Sequence, residues 1–397
     1  MVMRLGSKAE GADFFDRDTE RDDLWRYLEG NHIVLSGPRR LGKTSLLQRL
    51  ADEAEGKGLM ARLVDVEGIN SAKAFVDALE QAFPDESITG YLKVAREKAS
   101  DWLARFRKID VKLPGGIGGG LEMQAMPDLP WTVAARGLQQ RLSEAPLLIL
   151  IDEFSVFLEK LIGRDPAEAE NLLGWLRAWR LSSGVACRFV FTGSIGLNYL
   201  LEQHKFSTRF NDCHDFRLGP FKPKAALAML AEVSRREGWQ AEDAALAHLC
   251  QRTGWLSPFY LNLLLASSME AGRDRAEELG SAARVLIPND VDDGYDRLLS
   301  TRSRFVHWYQ RLERDLIESD FSFASAILGS LAKSDGGLTR KQLLARLQRR
   351  EPDPDQRAAT LSRLLLKLEE DGYVDGTGER IQFLSFLLRD YWRRNHA

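Results

Sequence analysis

Lys43, Thr44, Asp152 and Glu153 are the side chains in this sequence whose types and spacing can do chemistry, and that chemistry is handling a polyphosphate. The first two close the run Gly37-Pro38-Arg39-Arg40-Leu41-Gly42-Lys43-Thr44, which fits the G-x-x-x-x-G-K-[ST] phosphate loop. A lysine there reaches the β- and γ-phosphates, and a threonine hydroxyl ligates Mg²⁺. Gly37 and Gly42 allow backbone conformations that a Cβ penalises. Successive N–H groups then form a cationic concavity, reinforced by the positive end of a helix. Gly37, Pro38, Arg39, Arg40, Leu41, Gly42, Lys43, Thr44 and Ser45 are therefore the expected nucleotide contacts. Asp152 and Glu153 end the aliphatic run Leu147–Ile151. An acid at the carboxyl end of such a strand holds Mg²⁺, usually through water, and Glu153 is then placed to polarise an attacking water.

These groups need a parallel sheet to position them. Ile33-Val34-Leu35 reads as a buried strand feeding the loop, and Leu46, Leu47 and Leu50 as the helix that leaves it. Residues 59–66, 146–154, 187–194 and 216–221 supply further strands, the last with a turn. Helices are expected over 71–83, 91–107, 131–143, 155–162, 166–181 and 196–204. The glycine-rich stretch 109–126 reads as a hairpin or inserted segment. It is not a second phosphate loop, because no Lys-Ser or Lys-Thr pair follows it. At the end of the fourth strand, Ser194 or Thr192 either senses a γ-phosphate by a hydrogen bond or belongs to a plain turn. Arg209 is either a finger that reaches a phosphate, in cis or across a subunit contact, or a surface ion-pair partner. Phe14 and Phe15, ahead of the first helix, are the natural place to look for an adenine pocket.

After Lys222 the strand pattern stops. Helical periodicity runs over 222–237, 241–252, 257–271, 273–286 and 290–317, which reads as an all-helical lid. From about Phe321 the grammar changes again. Three amphipathic helices are followed by a small hairpin, Asp371-Gly372-Tyr373-Val374 against Ile381-Gln382-Phe383, and a closing helix over 386–394. This predicts a winged helix-turn-helix, with Thr339 capping its second helix. The third helix, about 356–370, offers Arg357, Arg363 and Lys367. Residues 321–397 hold 13 Lys and Arg against 10 Asp and Glu, a balance of +3 that is mild for a DNA-binding face. A protein partner is equally open.

The 397 residues allow two or three domains, and a net charge of −3 gives no global attraction to nucleic acid or anionic membrane. Cys187, Cys213 and Cys250 are odd in number and far apart, which suits reduced buried thiols better than a disulfide framework or a metal site. No apolar run approaches the ~18 residues that span a bilayer, and the N-terminus lacks the apolar core of a signal peptide. A cytoplasmic protein with no membrane partner is expected.

In order, SGPRRLGKTSLL, LLILIDEF, FVFTGS, FRLGPF, GWLSPF and EEDGYVD resemble the archaeal-type P-loop ATPases of the STAND/AAA+ lineage, relatives of initiator ATPases with a C-terminal winged helix. The resemblance spans about 14–394. It implies an ASCE-type core with Asp152 serving Mg²⁺, Glu153 the water, Ser194 the sensor position and Arg209 the finger position. Only Arg17 carries over from the family's Gly-Arg-Glu element, which here reads Asp16-Arg17-Asp18. Pro258 matches the proline of the family's Gly-Gly-x-Pro lid element, which here reads Gly254-Trp255-Leu256-Ser257-Pro258. The expected fold is thus α/β, a P-loop sheet with helices on both faces over 1–221, a helical lid and linker over 222–318, and a winged helix over 319–397. The expected role is an ATP- and Mg²⁺-binding, ATP-hydrolysing switch. Its winged helix would contact double-stranded DNA or a protein, with a nucleotide-dependent homo-oligomer possible in principle. The alternative is a nucleotide-stabilised DNA-binding or adaptor module whose turnover is incidental. A small-molecule kinase has no acceptor pocket to support it, and no Asn-Lys-x-Asp element favours GTP.

Overall fold

The computed structural model describes residues 14–84, 131–143, 145–182, 187–193, 196–301 and 305–397. The expected helix over 91–107, the segment 109–126 and Ser194 lie outside the described residues. The chain divides into two compact units. One holds Gly42–Leu218 and the described residues before Gly37; the other holds Gly37–Leu41 and Gly219–Ala397.

The first unit is built on five parallel strands, β1 (His32–Ser36), β2 (Met60–Asp65), β3 (Leu147–Asp152), β4 (Cys187–Thr192) and β5 (Cys213–Arg217), in the order β2-β3-β4-β1-β5. β3 and β4 are buried along their whole length, as continuous aliphatic and aromatic runs must be when helices cover both faces. The helices are α1 (Asp18–Leu28), α2 (Lys43–Ala54), α3 (Ala72–Ala82), α4 (Thr132–Ser143), α5 (Phe154–Arg164), α6 (Pro166–Leu181) and α7 (Leu197–Gln203). Several starts are written in the sequence. The Ser71 hydroxyl accepts from the Ala74 N–H, and Asp165 accepts from Ala167 and Glu168 with Pro166 in the first turn. Phe75, Phe154, Phe157 and Phe191 interlock with Trp175 and Trp179 in one apolar core. The fifth strand begins earlier than the sequence pattern places it, at Cys213, because its ladder to β1 runs from His32↔Cys213 to Ser36↔Arg217.

His32 lies in that core. Its Nδ1 accepts from the Phe189 N–H at 3.1 Å, so the other ring nitrogen, 3.2 Å from the Arg180 carbonyl, carries the proton. Burial, with Arg180 and Arg188 nearby, pushes its pKa down to about 3. The folded value lies below the unfolded one, so this contribution to stability is complete above pH 6.5 and is lost as pH falls toward 3. Urea titrations of wild type and His32→Gln at pH 7 and pH 5 check it. The stability gap between them is expected to shrink by about 2 kcal/mol at the lower pH.

In the second unit, α8 (Pro223–Arg236), α9 (Asp243–Thr253), α10 (Pro258–Glu278), α11 (Pro288–Ser300) and α12 (Val306–Asp315) are followed by α13 (Glu318–Ala332). A two-residue parallel pair, β6 (Gln240–Ala241) with β7 (Val285–Leu286), was not legible as strand. The sequence pattern splits residues 257–286 into two helices near Gly272, whereas α10 runs unbroken for 21 residues. Gly272 is there for packing: a Cβ would sit 3.0 Å from both Asp290 Oδ2 and the Trp239 ring. The single helix expected over 290–317 is two, since the chain leaves the helical conformation at Thr301 and Phe305 and Trp308 are buried.

The end of the chain comprises β8 (Leu338–Thr339), α14 (Arg340–Leu347), α15 (Pro354–Glu370), β9 (Val374–Asp375), β10 (Arg380–Phe383) and α16 (Phe386–Asn395). The strands form an antiparallel sheet in the order β8-β10-β9. Thr339 caps α14 in a capping box with Gln342. Among the described residues no helix is long and apolar enough to cross a membrane. The three cysteines are free; burial pushes Cys187 and Cys213 up to about 12 and Cys250 to about 11, which leaves little thiolate at neutral pH.

Candidate functional site: a phosphate loop facing two carboxylates

The loop between β1 and α2 has three residues at positive φ: Gly37 at 128°, Arg40 at 66° and Gly42 at 89°. Two are glycines, which take such angles freely, while Arg40 bears a cost of about 1–2 kcal/mol. Gly42 is the residue before α2 and brings no capping side chain of its own to the first turn, unlike the Ser71 and Asp165 starts. Helix starts of this kind are the ones that meet anions in phosphate loops. Lys43 and Ser45 are buried in this turn and Thr44 is half-buried.

All strands of the sheet run the same way, so the carboxyl end of β3 opens on the same edge as that of β1. Here Thr44 stands beside Asp152, near enough for its hydroxyl to act on the carboxylate's titration. Burial raises the Asp152 pKa above the usual carboxylate range. Thr44 opposes the shift, and Glu153 and Asp65 add to it. Asp65 stands opposite Asp152 in the β2–β3 ladder. Among the described residues no three His, Cys, Asp or Glu side chains gather to hold a metal. One carboxylate and one hydroxyl, both hard oxygens, suit an ion that takes its remaining ligands from water and phosphate, as Mg²⁺ does. The donor set therefore fits Mg²⁺ held together with a nucleotide.

Glu153 follows at φ 57°, its N–H donating to Asp152 Oδ1 at 3.0 Å and its carbonyl accepting from Phe157 in the first turn of α5. A left-handed non-glycine residue at a strand-to-helix corner persists only where its surroundings hold it. Gly193, just after β4, packs against Ser155 so closely that a Cβ would overlap the hydroxyl. The glycine of Thr192-Gly193-Ser194 thus lets β4 end against the start of α5, a role that the sequence reading did not assign. Thr192 itself is buried and donates to the Leu35 carbonyl at 2.8 Å, tying β4 to β1.

The other candidates have other surroundings. Arg209, in a short turn after α7, ion-pairs with Glu170 at 2.8 Å, and its carbonyl accepts from Arg180. Arg17 is buried at φ 76° and ion-pairs with Glu20 at 2.8 Å. Phe14 and Phe15 are half-buried. Pro258 opens α10, with Ser257 before it. Arg40 belongs to the second unit, where its guanidinium stacks on Phe259 and meets His307. Ser155 and His307 carried no sequence signal, and GWLSPF, which holds Ser257 and Phe259, gave no hint of their roles, since each matters through a contact with a distant residue.

Two solved structures set this arrangement in context. The chain is similar to a Walker-type ATPase of Pyrococcus abyssi, with 15% identity and a TM-score of 0.63 over 99% of this chain and 100% of that one. It is also similar to the ORC2 protein of Aeropyrum pernix, solved in ADPNP and ADP complexes, with 14% identity and a TM-score of 0.54 over 99% of this chain and 95% of that one. No protein-family model matches the chain, and no curated protein sequence does. At these identities the likeness establishes the fold, that of an α/β P-loop ATPase across nearly the whole length.

Proposed function

We propose that the protein binds ATP with Mg²⁺ and hydrolyses it slowly, and that nucleotide state is communicated to a C-terminal winged helix that binds a partner. The observation that carries this reading is Gly42, at φ 89°, opening α2 with Lys43 and Thr44 on the same edge of the parallel sheet as Asp152 and Glu153 at the end of β3. In it, the backbone N–H groups that Gly37–Ser45 carry outside Pro38, with the Lys43 ammonium, hold the β- and γ-phosphates. Thr44 and Asp152 hold Mg²⁺, which when bound neutralises phosphate charge. Glu153 orients and deprotonates the attacking water, and Ser194 senses the γ-phosphate. Arg17, in the first unit, and Pro258, in the second, are separate nucleotide-contact candidates. Arg209 would serve as a finger, in cis or from a neighbouring copy in a nucleotide-dependent homo-oligomer.

Residues 319–397, with three helices, a three-stranded antiparallel sheet and a closing helix, have the element order of a winged helix-turn-helix. Their charge arrangement favours a protein partner over DNA. On α15, Lys367 is buried against Asp371 and Arg363 is held by both Asp320 oxygens, at 2.7 and 2.6 Å. Arg357 donates to the Glu351 and Pro352 carbonyls. A helix whose cations are committed internally makes a weak phosphate-binding face.

ATP hydrolysis by the purified chain and by Lys43→Ala, with and without duplex DNA at two salt concentrations, tests both parts. Wild-type turnover that Lys43→Ala abolishes, with no stimulation by DNA, is the expected result. Stimulation that falls steeply with salt would replace the protein partner by DNA. Equal activity of wild type and Lys43→Ala would remove the ATPase reading. Partner capture that is the same with ATP, ADP and Lys43→Ala would favour an adaptor with incidental turnover.

A further inference from the structure

Arg40 is the non-glycine residue at the apex of the phosphate loop that adopts a left-handed backbone, and three contacts hold it there. The Ser257 hydroxyl donates to its carbonyl at 2.8 Å. Its guanidinium carbon lies 3.8 Å from the centre of the Phe259 ring. One guanidinium nitrogen is 3.0 Å from His307 Nε2. The residues concerned lie up to 267 positions downstream, within the same compact unit as Gly37–Leu41. Burial, reinforced by Arg40, Arg311 and Arg39, pushes His307 down to about 4, so at neutral pH its ring is uncharged and Nε2 can accept from the guanidinium. The loop is also walled on its Pro38 side. Gly372, at φ 87°, approaches so closely that a Cβ there would stand 2.9 Å from Pro38 Cβ.

The guanidinium is thus committed to an aromatic face and an imidazole, and the hydroxyl contact fixes the backbone. We propose that Arg40 is a positioning residue for nucleotide binding: Ser257, Phe259 and His307 hold it in the left-handed turn that aims the loop's N–H groups at a polyphosphate. This rests on the reading of Gly37–Thr44 as the phosphate loop and adds that α10 and α12 set its affinity. The energetic logic is that a strained non-glycine φ persists only where its environment over-determines it. Glycine, which takes positive φ unaided, has no need of such support.

That difference supplies the test, made on the full chain by calorimetric titration with ATP and MgCl₂. His307→Ala and Phe259→Leu should each raise Kd about tenfold, while kcat at saturating ATP stays within about twofold. In an Arg40→Gly background the same two substitutions should change Kd by less than about twofold, because the support they remove is no longer needed. Phe259→Leu keeps apolar volume and decides the matter where His307→Ala melts near the assay temperature. Unchanged Kd in the single variants, or equal losses in the wild-type and Arg40→Gly backgrounds, would overturn the inference while leaving the nucleotide reading intact. A wild-type chain that does not bind ATP would remove both.

Discussion

Glu153→Gln is expected to lower kcat for ATP hydrolysis by about 10²- to 10⁴-fold while ATP affinity stays within about threefold of wild type. The amide keeps the size of the carboxyl group but cannot take a proton from water. The backbone reasons for the position are untouched: the Glu153 N–H still donates to Asp152 and its carbonyl still starts α5. Gln meets the same φ of 57° at similar cost, so the variant isolates the chemistry from the fold. Single-turnover hydrolysis and calorimetric ATP binding, measured on the same preparation, separate the outcomes. Unimpaired turnover would show that Glu153 serves the strand-to-helix corner and that another group handles the water.

Asp371→Ala is expected to cost the second unit about 3–5 kcal/mol, the loss typical of stripping one partner from a buried ion pair. Asp371 follows α15 and stands 3.4 Å from an Arg311 guanidinium nitrogen on α12 and 3.2 Å from Lys367 Nζ. Burial alone would lower the Arg311 pKa, but Asp371, Tyr373 and Asp315 more than offset it and the value is raised. Removing Asp371 leaves Arg311 its ion pair with Asp315, at 2.9 Å, and takes from Lys367 the carboxylate it faces. The neighbouring Tyr373 hydroxyl, which donates to the Trp308 carbonyl at 2.8 Å, belongs to the same packed region. Hydrogen exchange over residues 306–315 and 354–375, read with urea unfolding, checks the prediction. A loss below about 1 kcal/mol would mean that Asp315 alone compensates the two cations or that water reaches them.

The pair of predictions marks how far local chemistry can be read. Glu153 was legible because five aliphatic residues in a row can only be a buried strand, and the acids that end it must emerge where parallel strands open. Asp371 was not. In sequence it is the third of Glu369-Glu370-Asp371, which reads as an acidic helix end crowding a DNA-binding face. Only folding puts it against Arg311, sixty positions away, and makes it a counter-ion. Lys367 likewise reads as a cation available to phosphate, yet it is 3% exposed. Thr192 reads as either an alternative to Ser194 at a γ-phosphate or part of a plain turn, and its hydroxyl is used between strands.

The sequence by itself determined strands β1 to β4, the glycine-bearing loop Gly37–Thr44, the acids at the end of β3 and the cap at Thr339. Each depends on hydrophobic period, on the φ angles a residue type permits, or on a hydrogen bond within three residues, and such rules act over one element. The tertiary structure decided which side chains of that legible set are committed elsewhere. It turned Arg40 toward Phe259 and His307, set Arg209 against Glu170, and brought Thr44 beside Asp152. Those pairings join residues tens to hundreds of positions apart, and a side chain's partner at that range is set by how the elements pack, which no local pattern encodes.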